Sequence, residues 1–306
     1  MKRLCAILLL VGLIAGSAFA TNTWEYYTGN WSDPGGWSEG RAPSGEEEVK
    51  IKKSDSVCTL NTSTGDWGVG QRLRVYEEAT LLIEDGAELL GAGWMRVGAT
   101  NPGTVIQSAG LVQLTAGKDD AKLGIGDQAG SDGFYTISGG TLTYSGDGGN
   151  LLIGARGGQG TFTVIDTDPL IQMNRLFVGD GAGASGTLEY QIGSGGVSPI
   201  SLADSANLDP EGDDTTALLV LSLIAAPPAD TDILLIDGTA VGQFDAVNGG
   251  SAAEGALVTL DFGGTDYYYS LTYADSVALQ WVPEPSMLAL LGLGSLIAVV
   301  RRRRKN

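Results

Sequence analysis

A short phrase ending in glycine recurs along the middle of the chain. Met95-Arg96-Val97-Gly98 returns as Leu123-Gly124-Ile125-Gly126, as Leu151-Leu152-Ile153-Gly154 and as Leu176-Phe177-Val178-Gly179. The glycines are spaced by 28, 28 and 25 residues. Each is followed by a polar, glycine-rich stretch and a second apolar-alternating segment: Gly103 to Ile106, Gly133 to Ile137, Gly160 to Val164 and Gly186 to Tyr190. A third short segment closes most units, as in Gly110 to Leu114 and Gly140 to Tyr144. An earlier unit runs from Leu73 through Leu81-Leu82-Ile83 to Leu89, and Val49 to Ile51 with Val57 to Leu60 fits one earlier still. Strands of four or five residues cannot each bury a face alone. Stacked units can, because equivalent strands pair in parallel and their inward residues form columns.

The expected fold is therefore all-β: a parallel β-helix, right-handed by the usual chirality, of about five rungs over residues 49–202 and ~25 Å long at ~4.8 Å per rung. A β-sandwich of hairpins is the competing arrangement, and three strands per period with strand-aligned glycines favour the solenoid. Residues 21–48 hold Trp24, Tyr26, Tyr27, Trp31 and Trp37 and are expected to cap the first rung. In the same residues Trp31 and Trp37 are candidate glycan contacts. After Leu202 the period stops, and the turn-rich run Asp209 to Asp214 opens a small antiparallel β region over 203–282.

Both ends carry signals. Met1-Lys2-Arg3, an apolar run to Ile14 and Ala18-Phe19-Ala20 form a secretory signal over residues 1–20, its helix removed by signal peptidase after Ala20. At the other end Val282-Pro283-Glu284-Pro285-Ser286 precedes an apolar stretch, Met287-Leu288 to Val300, and then Arg301-Arg302-Arg303-Arg304-Lys305. Fourteen residues as a helix rise about 21 Å, a marginal transmembrane span closed by a cytoplasmic positive stop. Residues 283–306 resemble the PEP-CTERM family of sorting signals, with Pro283, Glu284 and Pro285 as the motif. The resemblance implies recognition and cleavage by a membrane-embedded exosortase in a Gram-negative bacterium that makes extracellular polysaccharide. The N-terminal aromatic segment also resembles, more loosely, the opening of autotransporter-like glycine-rich secreted solenoids.

Composition then removes function classes. There is no histidine, hence no Ser-His-Asp or Cys-His system and no histidine-ligated zinc. Of 18 basic residues seven lie in the two terminal signals, as does Glu284, which leaves 11 against 35 acidic ones, a body near −24. Such a body is no general nucleic-acid binder. Cys5 leaves with the signal, and Cys58 remains as a small buried residue without a disulfide partner.

The candidate chemistry is sparse. A polysaccharide lyase or hydrolase would use carboxylates with arginine or lysine in a groove, and Asp119, Asp120, Asp127, Asp180, Arg156 and Arg175 are the residues available. They form no recognisable constellation, so no catalytic residue, cofactor or metal site is assigned. Ca²⁺ at Asp209, Glu211, Asp213 and Asp214 is the one cation considered, without a calcium-loop spacing to support it. Threonines such as Thr143 and Thr163 fall at different offsets from their rung glycines, and the positions equivalent to Thr163 are Ile106, Thr136 and Glu189, which argues against an ice-binding array. The expected function is that of an exported structural or adhesive component of the cell surface or polysaccharide matrix, not an enzyme. The alternatives are a secreted carbohydrate-active enzyme and a non-catalytic glycan-binding module.

Overall fold

The computed structural model describes residues 20–44, 47–115, 121–146, 148–208 and 214–283. They form a parallel β-solenoid of about eight turns, with three strand-bearing faces per turn through most of its length. The first face is built by Ala20–Trp24, Glu47–Ile51, the second half of Ser63–Val75, the second half of Glu88–Val97, Ala121–Ile125, Gly148–Ala155 and Arg175–Asp180. The second runs from Thr28–Asn30 to Ala246–Val247 as a continuous parallel ladder. The third is shorter and carries Leu111–Thr115, Thr141–Ser145 and Leu170–Met173. Ser63–Val75 and Glu88–Val97 are long because each rounds a corner between the third face and the first.

Alternation along each strand decides what lies inside. On the first face Leu73, Met95, Leu123, Leu151 and Leu176 stand in register, and beside them Val75, Val97, Ile125, Ile153 and Val178. All ten are fully buried. On the second face the inward column runs Cys58, Leu81, Val105, Tyr135, Phe162, Leu188 and Leu219. Each buried aliphatic contributes about 1.5–3 kcal/mol, too little for one turn to meet its own chain entropy and enough only when turns stack. The core is not wholly apolar: Tyr135 donates its hydroxyl to Gln107 Oε1 at 2.6 Å, and Gln107 Nε2 donates to the Thr141 carbonyl at 3.0 Å. Cys58 is buried and unbonded, and burial pushes its thiol well above the usual range.

The solenoid has more turns than the five expected from the glycine phrase. Glycine marks only those corners where the next turn passes close. At Gly126, φ is +60°, and a Cβ would stand 1.7 Å from the Gln159 carbonyl oxygen, so no other residue fits. The corner after Val75 instead uses Glu77 and Glu78 at positive φ, and the one after Ile51 uses Asp55. Those turns leave no glycine to count. Parallel pairing also continues past Leu202. Ile200–Leu208 pairs with both Leu170–Met173 and Arg175–Asp180, crossing a corner within one irregular strand, and Thr216–Leu223 and part of Ile233–Val241 extend the ladders. Antiparallel pairing brings in Leu257–Phe262, Thr265–Thr272 and Val277–Trp281, the last against Ile233–Val241, and the short hairpin at 246–251. Of the three consecutive tyrosines Tyr269 is the buried one.

At the N-terminal edge the segment expected to cap the first rung pairs with it in parallel, Ala20–Trp24 on Glu47–Ile51 and Thr28–Asn30 on Val57–Leu60. Trp24, Trp31 and Trp37 are buried there, in edge-to-face contacts at 4.9–5.1 Å, and Trp37 Nε1 donates to the Trp31 carbonyl at 2.7 Å. Among the described residues no helix is long and apolar enough to cross a membrane. The signal helix and the C-terminal hydrophobic helix expected from the sequence lie outside the described residues.

Gly126→Ala should lower stability by about 3 kcal/mol, since backbone must move to admit the methyl group. Gly130→Ala, also at positive φ but facing open space, should lose about 1 kcal/mol. Chemical denaturation of the two variants beside the parent measures the difference.

Candidate functional site

The register that stacks the core also stacks the outward side chains of the first face. One outward column reads Arg72, Trp94, Lys122, Asn150, Arg175. The neighbouring column reads Lys50, Arg74, Arg96, Gly124, Leu152, Phe177. Arg156 joins them from the corner beyond Gly148–Ala155, where its φ is +49° and its backbone N–H donates to the Asp180 carbonyl at 2.7 Å. Six of the body's 11 basic residues, Lys50, Arg72, Arg74, Arg96, Lys122 and Arg156, thus gather on one face.

Trp94 is the centre of this group. The Arg96 guanidinium lies 3.5 Å from its ring centroid, and Arg156, Arg72 and Lys122 stand at 5.4, 5.6 and 5.8 Å. Cations gather over an indole because its ring face is electron-rich. The Asp127 carboxylate sits behind them. Arg156 Nη2 donates to Asp127 Oδ2 at 2.7 Å and its Nε to the Asp127 carbonyl at 3.0 Å, while Arg96 Nε lies 3.2 Å from the same Oδ2. Gly124 makes this possible: a Cβ there would meet Asp127 Oδ2 at 2.9 Å. Glu48 partners the other end, 2.9 Å from Arg74 and 3.1 Å from Lys50. Burial raises the Asp127 carboxyl above the usual range, opposed by Arg96 and Arg156. Arg96 is held below its usual range by burial, against the pull of Asp127, and repulsion from Arg74, Arg156 and Arg72 adds to the depression. The group is therefore crowded with like charge around Arg96, with Asp127 and Glu48 among its counter-ions.

Of the residues singled out from sequence, Asp127 and Arg156 meet here, as each other's counter-ions. Arg175 is two turns from Lys122 along its column and is ion-paired with Asp204. Asp180 is half-buried at the corner beside Arg156. Asp119 and Asp120 lie outside the described residues, as do Asp209, Glu211 and Asp213; Asp214 is exposed. Among the described residues no group of three or more acidic or cysteine side chains is placed to hold a metal ion. Trp31 and Trp37, named as glycan contacts, pack their rings on each other at the N-terminal edge and are only 2% exposed, whereas the nearby Tyr26 and Tyr27 are 42% and 67% exposed. On the second face Thr163 stands in register with Thr136 and Glu189, and Thr136 with Ile106, which leaves a mixed column and no threonine rank. Arg72, Arg74, Trp94, Arg96 and Lys122 were not singled out from sequence, although a signal existed. Trp94, Lys122, Asn150 and Arg175 each stand four residues before a rung glycine.

Arg156→Gln should raise the Asp127 carboxyl further, because it removes a charge and a hydrogen bond that favour the ionised form. A carboxyl raised in the folded state contributes stability that is present below its unfolded value and lost as pH rises through the folded value. The variant should therefore be about 1 kcal/mol less stable than the parent at neutral pH, and the gap should shrink as pH falls towards about 4. Denaturation of both proteins across that range tests it.

The last strand, Val277–Trp281, delivers the chain to Val282, whose N–H donates to the Tyr268 carbonyl at 2.9 Å, and then to the half-buried Pro283. Ala20, the expected last residue of the leader, begins the first strand. Ala18, Glu284, Pro285, Met287, Leu288, Val300 and Arg301 to Arg304 lie outside the described residues. No curated protein and no solved structure matches the chain. The model of the PEP-CTERM protein-sorting motif matches residues 282–305, so the folded body passes directly into a signal that implies an exported, membrane-anchored precursor sorted by an exosortase.

Proposed function

We propose that this protein is an exported structural or adhesive component of the cell surface or extracellular polysaccharide matrix, released to that position by exosortase cleavage near Pro283, Glu284 and Pro285. The observation that carries the reading is the sorting motif at 282–305, joined without a linker to the end of an eight-turn solenoid. A stacked parallel ladder is a stiff rod: each turn is held by backbone hydrogen bonds to both neighbours, and moving one end carries the other. Such a rod suits display or spacing outside the cell. The role is scaffolding or attachment and not turnover, and signal peptidase removes the leader after Ala20 during export.

Deleting Pro283 to Asn306 tests the reading. Fractionation of a native host should find the parent at the surface or in the matrix, and the truncated protein in the periplasm or free in the medium. Unchanged surface or matrix localisation of the truncated protein would sink the proposal.

A further inference from the structure

The second face carries almost no charge, although the rod is acidic. Over the five rungs from Ala79–Ile83 to Ser185–Ile192 its outward side chains form two columns. One reads Thr80, Thr104, Phe134, Thr161 and Thr187, and the other Leu82, Ile106, Thr136, Thr163 and Glu189. Val57 and Thr59 continue them at one end, Leu218 and Val220 at the other. We infer that this face is an interface between two copies of the chain, which meet face to face about a two-fold axis parallel to the solenoid axis. The inference deepens the proposed structural role and rests on it for its setting.

Three observations converge. The first is charge. In a body near −24, Glu189 is the one charged side chain among these ten, and it already accepts from Thr163 Oγ1 and Gln191 Nε2, each at 3.1 Å. Two such bodies repel over most of their surfaces and can close only where neither brings a row of carboxylates. Phe134 and Ile106, near the middle of the ladder, are 45% and 39% exposed, and apolar side chains so placed gain by being covered. The second is shape. In four of these five rungs one outward side chain is a threonine and the other is larger: Leu82 beside Thr80, Ile106 beside Thr104, Phe134 beside Thr136 and Glu189 beside Thr187. A two-fold axis along the stack sets each column on the opposite column of the second copy. Every large side chain then lies over a threonine, and Glu189 meets the Thr187 hydroxyl, which can donate to it. Antiparallel rods would instead set Phe134 on its own copy and Glu189 on Leu82, where burying the carboxylate gains no donor.

The third is size. Strands of about five residues at ~3.3 Å each and seven rungs at ~4.8 Å give a face of about 550 Å². Two copies cover about 1,100 Å² together, enough for a specific, reversible pair. The parallel arrangement leaves both C-terminal ends at the same end of the pair, so two precursors held in one membrane can form it. A flat glycan asks something else of a face. Successive sugars stack on rows of aromatic rings, and Phe134 is the single aromatic side chain in these columns.

Sedimentation equilibrium of the purified full-length chain, in a density-matched non-ionic detergent, is the test. The parent is compared with the face variant Ile106→Asp/Phe134→Asp, with Thr187→Lys, and with the control Leu170→Asp/Leu257→Asp, which alters two exposed leucines away from this face. The tail is the same in all four, and circular dichroism melting shows that each is folded. The parent and the control should form dimers in the micromolar range, more tightly as salt rises and screens the two bodies from each other. The face variant should dimerise roughly tenfold more weakly or worse. Thr187→Lys sets an ammonium opposite Glu189 of the second copy and should tighten the dimer about threefold, the effect of two exposed ion pairs. A monomeric parent, or equal dimerisation by the face variant and the control, would overturn the inference. So would a weaker dimer for Thr187→Lys, or loss of retention on immobilised dextran by the face variant with its sedimentation unchanged. Localisation of the tail deletion is read separately, so either proposal can fail without the other.

Discussion

In-register stacking of equivalent strands is the constraint on which everything else here depends. Each turn contributes a few buried side chains per face, and no turn has a core of its own. Leu123 is buried because Met95 lies below it and Leu151 above, and the same holds for Tyr135 between Val105 and Phe162. The ladder therefore fixes two patterns at once. The residues that alternate inward become columns of core, and those that alternate outward become columns of surface. A one-residue slip would exchange them.

The outward columns explain how an acidic chain acquires a basic face. Arg72, Trp94 and Lys122 are 22 and 28 residues apart, too far to read as a patch, yet the ladder sets them one above another. Gly124 leaves the gap into which Asp127 turns, and Asp127 then holds Arg96 and Arg156 in place from behind. Positioning from behind matters because the arginines crowd one another; without a fixed counter-ion they would spread into solvent. The outcome is a rigid array of cations around one indole, on a rod whose end continues into a sorting motif.

Much of the architecture is legible in the residues. The glycine phrase predicts parallel stacking, and the alternation predicts the buried set on the first and second faces. Glycine spacing undercounts the turns because corners such as Glu77-Glu78 reach positive φ without glycine. The region after Leu202 hides its membership because Ile200–Leu208 rounds its corner in one strand. The site was less legible. Asp127 and Arg156 drew notice as carboxylate and cation, but their pairing across 29 residues, and the gathering of Arg72, Arg74 and Lys122 with them, needs the register of whole turns.

By itself, the sequence determined the repeat, the all-β class, the acidity of the body and the motif at its C-terminal end, because these reside in composition, period and contiguous residues. The tertiary structure decided which charges become neighbours, which aromatics are covered and how far the stack extends. Trp37 and Trp94 both belong to an aromatic-poor chain and look alike as letters. One is sealed in a cluster of indoles and the other lies half-open under four cations, because burial and electrostatic environment are properties of the turns above and below a residue, set by pairing across the ladder.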